Sequence, residues 1–531
     1  MMLNPAKAFP SLLVASTLML SACGGSSGSS DDNSGISTGG GSEPEWVAGE
    51  FTAYPDLAQQ CSADGTGSDL IEKLWLRSWT NDTYLWYDEV DDINPDGYSV
   101  EQYFNLLVTD ELSETGNPKD NFHFSMSSQE WNQLVNSGAS FGYGMNYFLR
   151  NASSSVSRQV TISYTEPNSP ATTNNIARGA IIVSIDGVNV ANANTQAEID
   201  VLNAGLFPTS SSKQTEFVIR DLNSQTDRSV SLTAASIVST PVQNVKTLST
   251  ATGNVGYLQF NSHIATAEKG LFDAITQLSN AGVDDLVIDL RYNDGGLLAM
   301  ASQLGYMVAG DNLTANKTFE LMNFNDKYPN TDPVTGGALS PVPFIPVTLG
   351  FNSALIGQNI ALPSLDLDRV FILTTGSTCS ASEALMNGLR GIDVEVIQIG
   401  DTTCGKPYGF YPTDNCDTTY FTIQFQGVND KGFGDYADGF MPSTNPMLAS
   451  EVPGCLVGDD FTHALGDAEE AMLSAALYYR DNSQCPMVAA ASVAKAPAIN
   501  GLVDESLLLQ DTRKQSIVRS NRILSHMSAG Q

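Results

Sequence analysis

The stretch TTGSTCSASEALMNGLRG, Thr374–Gly391, puts Ser380 and Ser382 where an apolar run, RVFILTT, gives way to a helix-forming segment. A helix N-terminus presents N–H groups without intrahelical partners and a partial positive charge. A serine oxygen placed there can become an oxyanion or sit beside one. The same residue is also a good cap, because S-x-x-E from Ser380 to Glu383 has the form of a capping box. A second group is Lys406, in IGDTTCGKPYGF, just after the apolar run VEVIQIG. Burial would disfavour its charged form, and a neutral amine can take the serine proton as the hydroxyl attacks a carbonyl. A third group is DLRYNDGG, Asp289–Gly296, at the end of another apolar run. Its glycines let backbone approach a substrate oxygen, so Gly295 or Gly296 could supply one oxyanion donor and the Ala381 amide the other.

The elements that must position these groups follow from periodicity. From 239 to 487 the chain alternates short buried strands with amphipathic segments: GNVGYLQF, then TAEKGLFDAITQLSNAG with Gly282 as its stop, then DDLVIDL, RVFILTT and VEVIQIG. Such alternation implies crossover units and a largely parallel sheet, with chemistry beyond the carboxyl ends of the strands. Residues 46–138 read as mostly helical, with Leu70, Leu74, Leu76 and Trp79 near helical spacing. Residues 139–238 change character. RQVTISYTE alternates as a strand, GAIIVSIDGVNV is a strand pair turning at Asp186–Gly187, and TQAEIDVLNAG is a short helix with Gly205 as its expected stop. This β-rich segment resembles a PDZ domain through FGYGMNYF and EPNSPATTNNIARGAIIVSIDGVNV. The resemblance implies that a C-terminal peptide would add a strand near Phe141, Gly142, Tyr143 and Gly144, its carboxylate held by backbone N–H groups. The fold class is thus a multidomain α/β chain with a helical N-terminal region and a β-rich PDZ-like domain.

TCSASEAL, GDTTCGKPYG and VIDLRYNDGG, following a PDZ-like segment, resemble the C-terminal processing peptidases, also called tail-specific proteases, over about residues 140–480. The resemblance implies a crotonase-like parallel-sheet peptidase domain and a Ser–Lys pair. The family's nucleophile lies three residues before the motif's Glu, which maps to Ser380, and the base maps to Lys406. No metal or organic cofactor is implied, and substrates would be polypeptides with exposed C-termini. The chain departs from the pattern in three places. The Ser-to-Lys spacing is about one residue longer than usual. Phe410 stands where a Gln commonly orients the lysine, and Cys379 abuts the nucleophile. Two other readings compete. A Ser–His pair could draw on His263, which follows a strand end. An inactive relative could capture C-termini through the PDZ-like segment, and Phe410 favours that reading.

The N-terminus, MMLNPAKAFPSLLVASTLMLSAC, is an export signal ending in small residues. LSAC resembles a bacterial lipobox, so residues 1–23 read as a lipoprotein signal with Cys23 as the lipidated residue. The anchor is then expected in the bacterial cell envelope, at the outer membrane facing the periplasm. Residues 24–45 are a Gly/Ser-rich tether, and the composition shifts again in a tail, 488–531. A net charge of −34 argues against nucleic acid as a partner. Seven cysteines leave six after Cys23, an even number in an oxidising compartment. Spacing suggests Cys404–Cys416 and Cys455–Cys485, and the peptidase resemblance raises Cys379–Cys404 as a competitor that would tie two catalytic loops together.

Overall fold

The computed structural model describes residues 44–113, 115–150 and 157–487. The signal segment, Cys23, nearly all of the tether and the 488–531 tail lie outside the described residues.

The central sheet has seven strands in the order Val242–Thr250, Gly253–Phe260, Asp285–Asp289, Arg369–Thr374, Glu395–Gly400, Glu451–Leu456 and Met441–Ser443. All neighbours are parallel except the first pair. Strand side chains alternate between faces. Leu286, Ile288, Val370 and Ile372 pack with the helices Ala267–Asn280, Leu298–Thr314 and Ala381–Gly391. Val287, Phe371 and Leu373 point the other way, onto Ala471–Asn482. Apolar side chains are needed on both faces, which is why these strands read as continuous apolar runs rather than alternating ones.

Residues 139–238 close a core of their own around Val160, Ile162, Ile182, Leu202 and Phe217. A six-stranded antiparallel sheet, the helix Gln196–Leu206 and a ribbon of Ala139–Gly142 with Ala235–Val238 make up this β-rich part. The turn at Asp186–Gly187 has positive φ at both residues, 47° and 84°, as a tight hairpin requires. Gly205 does not stop its helix. It sits inside Gln196–Leu206, and a Cβ there would lie 2.2 Å from Ile185 Cγ2. Close packing of helix on strand, not termination, selects glycine at this position.

The N-terminal region is built into the main body. The helix Asp69–Thr83 stacks Trp75 on Trp79 and sets Trp75 against Tyr420. The strand Phe124–Ser127 pairs antiparallel with Thr418–Phe421. Cys61 is bonded to Cys416 across 355 residues of sequence. This corrects the expected Cys404–Cys416 pair: Cys404 bonds Cys379 instead, while Cys455–Cys485 forms as the spacing suggested. Closing so long a loop restricts the unfolded chain strongly. Replacing both Cys61 and Cys416 by alanine is expected to lower stability by about 2–5 kcal/mol. A urea melt under non-reducing conditions checks this, and an unmoved midpoint would contradict it.

Candidate active site

The strands ending at Phe260, Asp289, Thr374 and Gly400 deliver four loops to one edge of the sheet. The loop after Thr374 reaches Ser380, which leads into the helix Ala381–Gly391. Other hydroxyl caps of this chain, Ser68, Ser99, Ser169 and Thr195, have negative φ, and their side chains accept a first-turn N–H. That is ordinary cap geometry. Ser380 differs, with φ 58° and ψ −110°. A non-glycine residue held there costs on the order of 1–3 kcal/mol and persists only where its surroundings enforce it. The Ser380–Glu383 pair is laid out as a capping box. Yet the Ser380 hydroxyl is fully buried and has no hydrogen-bond partner. The simple cap reading therefore does not describe this serine.

Glu383 does the holding. Its Oε2 accepts the backbone N–H groups of Ser380 and Lys406, both at 2.8 Å. Its Oε1 accepts the Thr403 hydroxyl at 2.5 Å and the Gly405 N–H at 2.8 Å. Two bonds to one oxygen keep the backbone nitrogens of Ser380 and Lys406 within twice 2.8 Å of each other. Burial pushes the Glu383 carboxyl above its ordinary pKa, and these donors act in the opposite direction. The Cys379–Cys404 disulfide, with Cα atoms 5.2 Å apart, ties the same two loops covalently. The sulfurs of Cys379 and Cys404 cluster with the Glu383 carboxylate, but the disulfide and the four donors leave this trio no free ligand set for a metal. Gly405 is required where it stands: φ is 83°, and a Cβ would lie 2.1 Å from Ala437 O.

Lys406 is fully buried. Its Nζ lies 4.5 Å from the centre of the Phe122 ring and 4.8 Å from that of Phe410. Phe410 thus occupies the neighbourhood that the amine needs, without an amide to offer it.

The glycine loop is organised by Asn293. Asn293 Oδ1 accepts the Gly295 N–H at 2.9 Å and faces His263 Nδ1 at 3.0 Å. Its Nδ2 donates to Phe260 O, and its carbonyl accepts from the Cys379 N–H and the Ser382 hydroxyl. Ser382 is therefore spent on structure. The Gly295 N–H is committed as well, which leaves Gly296 as the glycine fitted for an oxyanion. Gly296 forms a parallel bridge with His263 in which Gly295 O and the Leu297 N–H make the bonds, so the Gly296 N–H faces away from His263. The Ala381 N–H belongs to the first turn of its helix, where no intrahelical carbonyl is available.

His263 is fully buried, and burial pulls its pKa down to about 4. Its Nε2 has no hydrogen-bond partner, and neither has Ser380 Oγ, so the two are not bonded to each other. Behind the glycine loop, Arg291 pairs with Asp289, Asp459 and Glu470. Arg178, from the β-rich part, donates to Tyr292 Oη at 2.6 Å and to Asp459 at 2.5 Å. The residue before Asn293 is thus held by the β-rich part.

Phe141 and Gly142 lie in the small ribbon with Ala235–Val238, Tyr143 is buried with its hydroxyl on Thr215, and Gly144 turns at φ 75°. The next strand, Met145–Arg150, is one edge of the six-stranded sheet and, among the described residues, pairs there with Gln159–Thr165 alone. Among residues that touch the site, sequence reasoning missed the roles of Asn293, Thr403, Phe122 and Arg178. Asn293 and Thr403 lay inside motifs already singled out. Phe122 and Arg178 carried no local signal.

Residues 254–426 match the family described as Peptidase family S41. A carboxyl-terminal-processing protease of a Picosynechococcus species is 25% identical over 241 residues, 45% of this chain and 49% of the relative. The match thus spans about half the length of that relative. Among solved structures, an S41 protease from Bacteroides fragilis superimposes with a TM-score of 0.58 at 22% identity, covering 77% of this chain and 97% of that one. A structure titled as the photosystem II D1 C-terminal processing protease gives a TM-score of 0.41 at 17% identity over 70% of this chain and 92% of that one. The first of these structural likenesses speaks for a shared fold.

Proposed function

We propose, for a chain that carries a Peptidase S41 domain, that it is a serine endopeptidase cutting polypeptides near exposed C-termini, with Ser380 as nucleophile and Lys406 as general base. The observation that carries this reading is Ser380 itself. It is held at positive φ, its hydroxyl is free of the cap role, and one buried carboxylate fastens its N–H beside that of Lys406. In the reaction, neutral Lys406 takes the Ser380 proton as Oγ bonds to the peptide carbonyl carbon. The Gly296 and Ala381 N–H groups receive the oxyanion. The C–N bond breaks, the Lys406 ammonium gives its proton to the leaving amine, and water then releases the acyl group. In the unliganded chain Ser380 Oγ makes no hydrogen bond, and catalytic hydrogen bonds often tighten only when substrate binds. The PDZ resemblance implies that a substrate C-terminus would add a strand near Phe141–Gly144, and the adjoining strand Met145–Arg150 offers an open edge there. Lipidation at Cys23 would tether the enzyme in the envelope.

A fluorophosphonate probe applied to the purified chain tests the nucleophile. It is expected to label one peptide, that of Ser380, and Ser380→Ala is expected to lose both label and degradation of an unstructured protein. If the chain stays unlabelled and cuts no substrate across varied C-termini, the binding-protein reading replaces this one. If activity survives Lys406→Ala and disappears in His263→Ala, the base is histidine.

A further inference from the structure

The Ser–Lys reading, on which this inference rests, places the Lys406 amine between two rings, with Phe410 standing where an amide would commonly orient it. We infer that Phe122 and Phe410 form an aromatic clamp that positions Lys406 for the reaction, so that the N-terminal region completes the active site.

The clamp has two rings from distant parts of the chain. Nζ lies 4.5 Å from one ring centre and 4.8 Å from the other, both inside the range in which an ammonium is attracted to a ring face. Phe410 is fully buried and lies 5.4 Å from Phe421. Phe122 is half-buried, and its backbone is anchored: its N–H donates to Asp120 Oδ1 at 2.7 Å, and Asp120 Oδ2 accepts the Tyr84 hydroxyl at 2.9 Å. Just beyond it, His123 bridges Thr422 Oγ1 and Phe104 O, and Phe124 opens the strand that pairs with Thr418–Phe421. The segment that carries Phe122 is therefore fixed to the segment behind Phe410, and the two rings keep their spacing. Titratable groups on the elements around this pocket are Glu383 on the nucleophile side, Asp120 and His123 flanking Phe122, and Tyr408 on the Lys406 segment.

A ring face favours the ammonium over the amine. It thereby holds the side chain in place as it accepts the serine proton and until it passes that proton on. The rate rises with pH as the amine becomes neutral, so a face that favours the ammonium sets that rise at higher pH. Removing the face moves the rise down.

The test incorporates ring-fluorinated phenylalanine at 122 or 410 of the full chain. Fluorination keeps the ring's shape and cancels its negative face. Peptide kcat, KM and Ser380 labelling are followed against pH, beside Phe122→Leu and Phe122→Tyr. The rise is expected to move down by about one pH unit. The plateau kcat is expected to fall about tenfold with KM unchanged, and Phe122→Tyr is expected to shift less than Phe122→Leu. The fluorinated chains keep the native shape, so the test stands even where Phe122→Leu fails to fold. A rise that stays in place or moves up, or an effect confined to KM, overturns the clamp. Failure of the underlying Ser–Lys reading looks different: wild type is then not labelled at Ser380, or Lys406→Ala is labelled at the wild-type rate.

Discussion

Lys406→Met is expected to lower acylation of Ser380 at neutral pH by about 10²- to 10⁴-fold, the range supplied by a positioned general base. Methionine keeps the apolar stem and drops the amine. The side chain is fully buried between two rings, so an apolar replacement fits the space. The backbone of the loop is held independently, by the Glu383 bonds to the Gly405 and Lys406 N–H groups and by the Cys379–Cys404 disulfide. Stability is therefore expected to hold or rise while activity is lost. A structural lysine would show the reverse, a protein that melts earlier and still reacts. Labelling rate and melting temperature, measured on the same preparation, separate the two. A methionine variant that acylates within tenfold of wild type removes Lys406 from the mechanism.

The second large effect is expected at Glu383. Its two oxygens take four donors, two each. In Glu383→Gln one oxygen becomes an NH2 group. With the amide nitrogen in the Oε2 place two buried N–H groups face a donor; in the Oε1 place the Gly405 N–H does, while the Thr403 hydroxyl can turn and accept. Each unmet donor costs about 1–3 kcal/mol, and the amide takes the orientation that leaves one, so the change is expected to destabilise the protein by about 1–3 kcal/mol. The loss reaches the chemistry too. Ser380 is held at positive φ partly through its N–H bond to this carboxylate, and relaxing it lets the hydroxyl swing from its place. Labelling of Ser380 is expected to fall even at low temperature, where the variant is folded. A glutamine variant that melts with wild type and labels at the wild-type rate would show that the carboxylate holds neither loop.

Much of this protein is legible one segment at a time. The parallel sheet follows from short apolar runs alternating with amphipathic segments, because a strand covered on both faces must be apolar on both. Ser380, Lys406 and the glycine loop are found at strand ends because the turn chemistry and the helix start are local. The hairpin at Asp186–Gly187 is read from two residues whose backbone preferences need no tertiary help.

Other features depend on what folding brings near. Local sequence allows Ser380 to be a cap or a nucleophile; its positive φ and partnerless hydroxyl decide against the plain cap, and its backbone is fastened by a Glu383 bond shared with Lys406. Either Gly295 or Gly296 could serve an oxyanion until Asn293 Oδ1 is seen to take the Gly295 N–H. Cys416 has Cys404 close in sequence but bonds Cys61, because disulfide choice follows distance in space. Gly205 has the look of a helix stop until Ile185 is found against it. Phe122 has no motif around it and gains its meaning only when an antiparallel strand pair carries it to Lys406. Periodicity and turn preference act over a few residues, and so local pattern places the residue types at their strand ends. Which of their atoms are spent on structure depends on folding, since hydrogen bonds, disulfides and ring contacts join through-space neighbours that local pattern does not encode.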